Sequence, residues 1–328
     1  MLAGCRGDAD GGPGVATGGG GERRFVETQW VRTPAVTGTA EDTLLRTPTQ
    51  PVAVPGGFVV ADAHTGSVAR FGLDGTRRWR TPEFARGGVI SDIAAAGDGT
   101  LWALDRARGS IAVLDSTGRA LFRVPTSAAG EQPQALVPLA GGDVILLLPQ
   151  TDAPFVRLNR EGTVATRTTL PWKKYNSLSY LAGQLALGKD ARSDRWVAAF
   201  SSGDGFFIFR EDDPATSRLR FIEPVNFPRI VTEKRGNTTI TRPEHKPRLS
   251  ALSVTLSPTR IYVLFGGSTR LRNRIVDSYS LQDGRYLESH LLPARTSSIT
   301  WAEGGLLTVS HRPYASIEYL KPAGTALP

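Results

Sequence analysis

The chain has 328 residues, of which 40% are hydrophobic and 21% charged, and it carries a net charge of +8. It holds no run of about 18 apolar residues, which excludes a membrane-spanning helix in this sequence, and its single cysteine excludes an internal disulfide and a cysteine-rich zinc site. Glycine (36) and proline (22) break the chain every few residues, leaving few windows for a helix and suiting many short strands joined by tight turns.

The single cysteine is Cys5, and Leu2, Ala3, Gly4 and Cys5 resemble a bacterial lipobox, in which small residues before the cysteine fit the signal peptidase and the cysteine receives lipid. The basic and apolar regions of a signal peptide are expected upstream of Met1, with the start codon further upstream. Residues 6 to about 24 are Gly-rich and have nothing to pack, so a disordered tether is expected there. The expected division is residues 1–25 for lipobox and tether, 26–322 for the folded domain and 323–328 for a short tail.

An internal repeat sets the fold. The segment from Phe58 to Arg80 aligns without a gap on Leu101 to Arg123, at an offset of 43 residues. Asp62/Asp105, Gly66/Gly109, Ser67/Ser110, Ala69/Ala112, Gly75/Gly118 and Arg80/Arg123 are identical, and Phe71/Leu114 and Trp79/Phe122 are apolar pairs. The period is that of a propeller blade and too long for most helical solenoids. Each unit reads as a buried strand, a turn from Asp to Gly-Ser, a second apolar strand, and a turn ending in Gly that launches an outer strand. The pattern continues at Val144–Leu148 with Phe155–Gly162, at Trp196–Phe200 with Phe206–Phe209, at Ile261–Phe265 with Val276–Leu287, and at Leu306–Ser310 with Ser316–Leu320. The sixth unit lacks an outer strand, and a spare strand lies near Glu27 to Thr33, so the N-terminus is expected to close the ring.

These turns, Asp-x3-Gly-Ser and the later Gly turn, resemble those of NHL/TolB-like six-bladed propellers, including bacterial propeller lipoproteins of unassigned function. The resemblance implies an all-β, six-bladed β-propeller of four-stranded blades over residues 26 to 322, with the last blade completed by an N-terminal strand. Relatives of that kind include lactonases with a divalent cation in the channel and lyases with His-bound copper or zinc.

The candidate channel residues are His64, in a turn, His311, at a strand end, and Asp92 and Glu303, each near an inner strand. Asp143 follows Gly141 and Gly142 and reads as a turn residue. No two histidines stand at metal-ligand spacing, and no nucleophile elbow, phosphate loop or dinucleotide fingerprint occurs. No cofactor is expected on the binding reading, and calcium or another divalent cation on the enzymatic one. The six tryptophans recur in different units and are expected to pack between blades.

Charge is unevenly spread. Between Ser217 and Ile275 twelve basic residues accompany three acidic ones, leaving the rest of the chain near neutrality. Within this stretch Phe221 to Lys246, with the insertion reaching to about 248, departs from the repeat, and Ile230 to Ile240 reads as a β-hairpin turning at Gly236-Asn237. Arg229, Lys234, Arg235, Lys246, Arg248, Arg270, Arg272 and Arg274 are therefore the candidate anion- or partner-binding residues, unless the hairpin is simply a solvated loop. The expected function is a non-catalytic ligand- or protein-binding propeller, monomeric, lipid-anchored in the periplasm or at the cell surface, with a protein or an anionic envelope component as partner and membrane contact through the lipid alone. The lipobox argues against nucleic acid, because a periplasmic protein seldom meets RNA; a chance lipobox match would place the protein in the cytoplasm. The alternative is a channel-site hydrolase or lyase with a divalent cation.

Overall fold

The computed structural model describes residues 21–37, 45–81, 88–148, 152–170, 183–211, 213, 218–236, 238–267, 270–311 and 314–323. The chain folds as a ring of six antiparallel sheets, an all-β six-bladed propeller as expected. Blade one is Val52–Val54, Gly57–Asp62, Ser67–Gly72 and Arg77–Thr81, and blade two is Ile90–Ala95, Leu101–Asp105, Ser110–Leu114 and Ala120–Pro125. Blade three is Ala135–Pro138, Val144–Leu147, Phe155–Leu158 and Val164–Thr168. Blade four has three strands among the described residues, Leu185–Lys189, Arg195–Phe200 and Phe206–Arg210, and Leu219 bridges to Phe206 where an outer strand would begin. Blade five is Ala251–Leu256, Arg260–Phe265, Ile275–Ser280 and Tyr286–Leu291; blade six is Ser298–Ala302, Gly305–Ser310 and Ser316–Pro322.

The two middle strands of a blade are buried on both faces, which is why they read as continuous apolar runs. Each blade packs one face on the blade before it and the other on the blade after it. Six clusters of the core accordingly lie between successive blades, beside a seventh of Val225, Phe265 and Ile275: Val59, Ala61, Ile93 and Ala103 join blades one and two, and Trp102, Val113, Leu146 and Val156 join two and three. Leu147, Phe155, Trp196 and Phe209 join three and four. Val197, Phe206, Val254 and Tyr279 join four and five; Tyr262, Val276, Ile299 and Leu320 join five and six; and Phe58, Phe71, Leu307 and Tyr319 close six onto one. Five tryptophans serve these seams, Trp102 and Trp196 buried and Trp30, Trp79 and Trp301 partly so, while Trp172 and Cys5 lie outside the described residues.

The repeated turns have the chemistry read from sequence. Asp62 Oδ1 accepts from the backbone N–H of His64 at 2.9 Å and of Thr65 at 3.0 Å, and Asp105 Oδ1 accepts from that of Arg108 at 3.3 Å. Gly75 and Gly118 take φ of 82° and 85°, in the region where any other residue is strained.

Trp30–Thr37 completes blade six, pairing antiparallel with Ser316–Pro322, with Thr33 opposite Tyr319. The ring is thus closed by both ends of the chain, and blade six keeps four strands. The chain is ordered earlier than the tether reading implied. Phe25–Val26 adds a fifth strand to blade five, parallel to Tyr286–Leu291. Just before it, Arg23 donates to both carboxylate oxygens of Asp277 and to Glu223, and its guanidinium lies 4.2 Å over the Phe265 ring. The hairpin is Ile230–Arg235 paired with Thr238–Pro243; it forms a sheet of its own and turns through Gly236 at φ 61°, with Asn237 outside the described residues.

Candidate functional site

In an antiparallel meander, the turn between the second and third strands lies on the same side of the disc as the link to the next blade. This linker face carries the hairpin, His64 and His311; the opposite face carries the turn with Glu303. The four residues read as channel candidates are therefore not brought together. His64 is exposed, its Nε2 3.0 Å from Arg46 Nη1. Glu303, at φ 43°, accepts from the Gly56 N–H at 2.8 Å and so ties blade six to blade one. Asp92 lies on the inner strand of blade two, where its Oδ2 accepts from the Leu136 N–H at 2.9 Å and from Lys189 Nζ at 2.7 Å. One carboxylate thus joins the inner strands of blades two, three and four. Asp143 binds Arg157 Nε at 2.7 Å.

Other polar groups near the axis are also engaged between blades. Gln50 Nε2 donates to the carbonyls of Val254 and Ile299 at 3.1 and 3.0 Å. Ser253 Oγ donates to the Ile299 carbonyl at 3.2 Å and accepts from its N–H at 3.1 Å. Blades four and five approach so closely that a Cβ on Gly188 would lie 2.5 Å from Val254 Cγ1. Among the described residues no three His, Cys, Asp or Glu side chains converge in an arrangement fit to hold a metal ion.

The site the structure does assemble is a cleft of about 980 Å³ on the linker face between blades five and six. Lys246, Arg248, Arg272, Arg295 and His311 line it, together with Arg32 and Glu318 on the ring-closing strands. Its floor depends on Gly266, where a Cβ would meet Leu249 Cβ at 2.5 Å; instead the N–H groups of Gly266 and Gly267 reach the carbonyls of Ser250 and Leu249 at 3.0 and 2.7 Å. One wall is the turn holding Arg272, fastened to the following link by Leu292 N–H to the Arg274 carbonyl at 2.7 Å and Thr296 N–H to the Asn273 carbonyl at 2.9 Å. That fastening brings Arg272 and Arg295, from two separate connections, to one opening.

The charges sort into two groups. On the hairpin, Arg229 pairs with Glu244 at 3.5 Å, Arg235 with Glu233 at 3.7 Å and Arg242 with Glu233 at 2.6 Å, so three of its cations have a carboxylate partner. Arg274 Nε donates to the Leu292 carbonyl at 2.9 Å. In the cleft, Arg32 Nη2 donates to both carboxylate oxygens of Glu318, at 2.7 and 2.8 Å. Lys246, Arg248, Arg272 and Arg295 have no ion-pair partner among the described residues. Of the eight basic residues singled out in the sequence, the cleft gathers Lys246, Arg248 and Arg272 and leaves Arg229, Lys234, Arg235, Arg270 and Arg274 outside its lining. Sequence reading missed Arg32 and Arg295, which lie far outside the basic stretch and carry no local signal.

No protein-family model matches the chain, and no curated protein matches it in sequence. Solved structures do match in fold. A gluconolactonase from Xanthomonas campestris superposes with a TM-score of 0.55 at 14% identity, over 91% of this chain and 99% of that one. Virginiamycin B lyase from Staphylococcus aureus gives 0.52 at 11% identity, over 90% and 99%. A candidate exported protein from Bacteroides fragilis gives 0.54 at 8% identity, over 90% and 95%. At these identities the likeness shows the fold alone: the chain is a six-bladed β-propeller, a scaffold that carries enzymes and proteins of unknown function alike.

Proposed function

We propose that the chain is a binding propeller of the NHL/TolB-like kind, held at the bacterial cell envelope by lipid on Cys5, which takes an anionic ligand in the cleft between blades five and six. The observation that carries the reading is the set of four cations, Lys246, Arg248, Arg272 and Arg295, facing one cleft of about 980 Å³ without carboxylate partners among the described residues. Like charges gathered at one opening repel each other, and an anion there relieves that repulsion. Arginine also presents a planar fork that matches carboxylate and phosphate groups. The channel-site alternative has less support, because Asp92 is already bound to Lys189 and its companions His64, Glu303 and His311 lie elsewhere.

Titration calorimetry with pyrophosphate and with citrate tests this reading. Binding is expected at low salt, weakening as salt rises. The double substitution Arg272→Glu/Arg295→Glu should weaken it tenfold or more, and Lys234→Glu on the hairpin should leave it unchanged. Equal effects of the two variants, or no binding at all, would reject the cleft as the site. Stoichiometric metal in purified protein would turn the choice toward the channel enzyme, and an unmodified Cys5 in protein from the envelope would remove the anchor.

A further inference from the structure

Nine large hydrophobic side chains are exposed among the described residues, and four of them fall on the outer rim where blades five and six meet: Phe25 (49% exposed), Val26 (37%), Val31 (55%) and Leu291 (36%). The rim is one connected surface. Phe25 and Val26 pair with Ser289 and His290, Thr28 Oγ1 lies 2.9 Å from His290 Nδ1, and Trp30 Nε1 donates to the Leu291 carbonyl at 2.9 Å. The strands Phe25–Val26 and Trp30–Thr37 are the outermost of their sheets, and among the described residues no further strand covers them. Edge strands normally carry charge there, since an apolar edge invites association. Two cations flank this one, Arg24, 3.7 Å from Glu288, and Arg32, 2.7 Å from Glu318, with Glu27 between them in sequence. Arg32 is also a wall of the cleft that holds the four cations without an ion-pair partner among the described residues.

We propose that this rim is a membrane-docking surface that rests on an anionic lipid bilayer. Apolar side chains beside cations are what a bilayer interface takes, the first entering the headgroup boundary and the second meeting lipid phosphates. The chain preceding the rim points to the same occupant: Cys5 stands nineteen residues before Arg24, so a lipid on it would deliver this side of the disc to the bilayer first. The apolar part of the argument is independent of ligand binding in the cleft; the charge part draws on the same cations.

The test uses the full chain with Cys5→Ser, which carries no lipid, in co-sedimentation with vesicles of phosphatidylglycerol and phosphatidylethanolamine, and with neutral phosphatidylcholine vesicles. Binding to the anionic vesicles is expected, reduced tenfold or more by Phe25→Ser/Val31→Ser while the melting temperature and pyrophosphate binding stay unchanged. Arg24→Glu should weaken it in the same direction. Equal binding of wild type and the apolar double variant, or no binding to anionic vesicles, would overturn the proposal. So would a dimer of the wild-type chain that the same substitutions convert to monomer, since the rim would then belong to a second copy.

Discussion

Arg23 grips Asp277 with two parallel hydrogen bonds, Nε to Oδ1 at 2.9 Å and Nη2 to Oδ2 at 3.0 Å, across 254 residues of chain. Burial opposes the charged guanidinium, yet the Asp277 and Glu223 carboxylates outweigh it and hold the Arg23 pKa above its ordinary value. Ser289 Oγ adds a hydrogen bond to Asp277 at 2.6 Å. The segment before the first strand is thereby fastened to blade five.

Removing the arginine strands a carboxylate that is 2% exposed. Arg23→Met should therefore destabilise the fold by about 3–5 kcal/mol, the cost of breaking one side of a buried pair. Arg23→Met/Asp277→Leu should recover part of that loss. Denaturant midpoints of the three proteins check both; equal midpoints for wild type and Arg23→Met would show the pair to be without weight.

Tyr279 is fully buried between blades four and five, and its hydroxyl accepts from the Ile222 N–H at 3.1 Å. Burial, with the nearby Asp277 charge, drives its pKa well above the ordinary 10.0, favouring the neutral phenol. Tyr279→Phe keeps the ring and orphans that N–H, at an expected cost of about 1–3 kcal/mol. The measurement is equilibrium unfolding, with amide exchange at Ile222 expected to quicken more than at blade-one amides.

Two turn glycines separate strain from crowding. Gly99 and Gly118 both have positive φ, 83° and 85°, but a Cβ at Gly99 meets open space while one at Gly118 would lie 2.7 Å from the Trp79 ring. Gly99→Ala should cost about 1–2 kcal/mol from backbone strain alone. Gly118→Ala should cost more, because Trp79 must also shift from its hydrogen bond to the Ser116 carbonyl at 2.9 Å. Melting temperatures of the two variants give the comparison, and tryptophan fluorescence should change only in the second.

His290 sits under the docked N-terminal segment, beside Thr28, Trp30 and Glu288. Burial chiefly lowers its pKa below the ordinary 6.5, Glu288 pulls it upward and Arg260 pushes it down. The unfolded chain then binds more protons at this imidazole than the folded one, so its share of stability is complete above about pH 6.5 and falls away as the pH drops toward the folded value. Stability measured from neutral to mildly acidic pH should decline less steeply in His290→Asn than in wild type.

The sequence made the ring legible where blades repeat cleanly. The matched Asp62 and Asp105 turns, and the Gly75 and Gly118 turns, fixed the period because their chemistry is local. The hairpin about Gly236 was visible for the same reason. The inner strand Leu185–Lys189 was not, since Gly188 and Lys189 interrupt its apolar pattern, and both answer to other blades, Gly188 to Val254 and Lys189 to Asp92. Phe25–Val26 is too short to show any period. The basic stretch was legible as composition, but which of its charges remain unpaired was not. Glu233 and Glu244 pair with three of the hairpin's cations through cross-strand and base contacts, and Arg295 joins the cleft only because the Arg272 turn is fastened to its connection.

Ring closure also sets a schedule. Trp30–Thr37 is made before the five blades that separate it from Ser316–Pro322, so it must wait for its partner while they are synthesised. During that interval blade six cannot form, and the apolar faces of blades five and one that it will cover stand open. The risk of misassembly is greatest in that interval, and loss of Ser316–Pro322 would leave a disc that cannot shut.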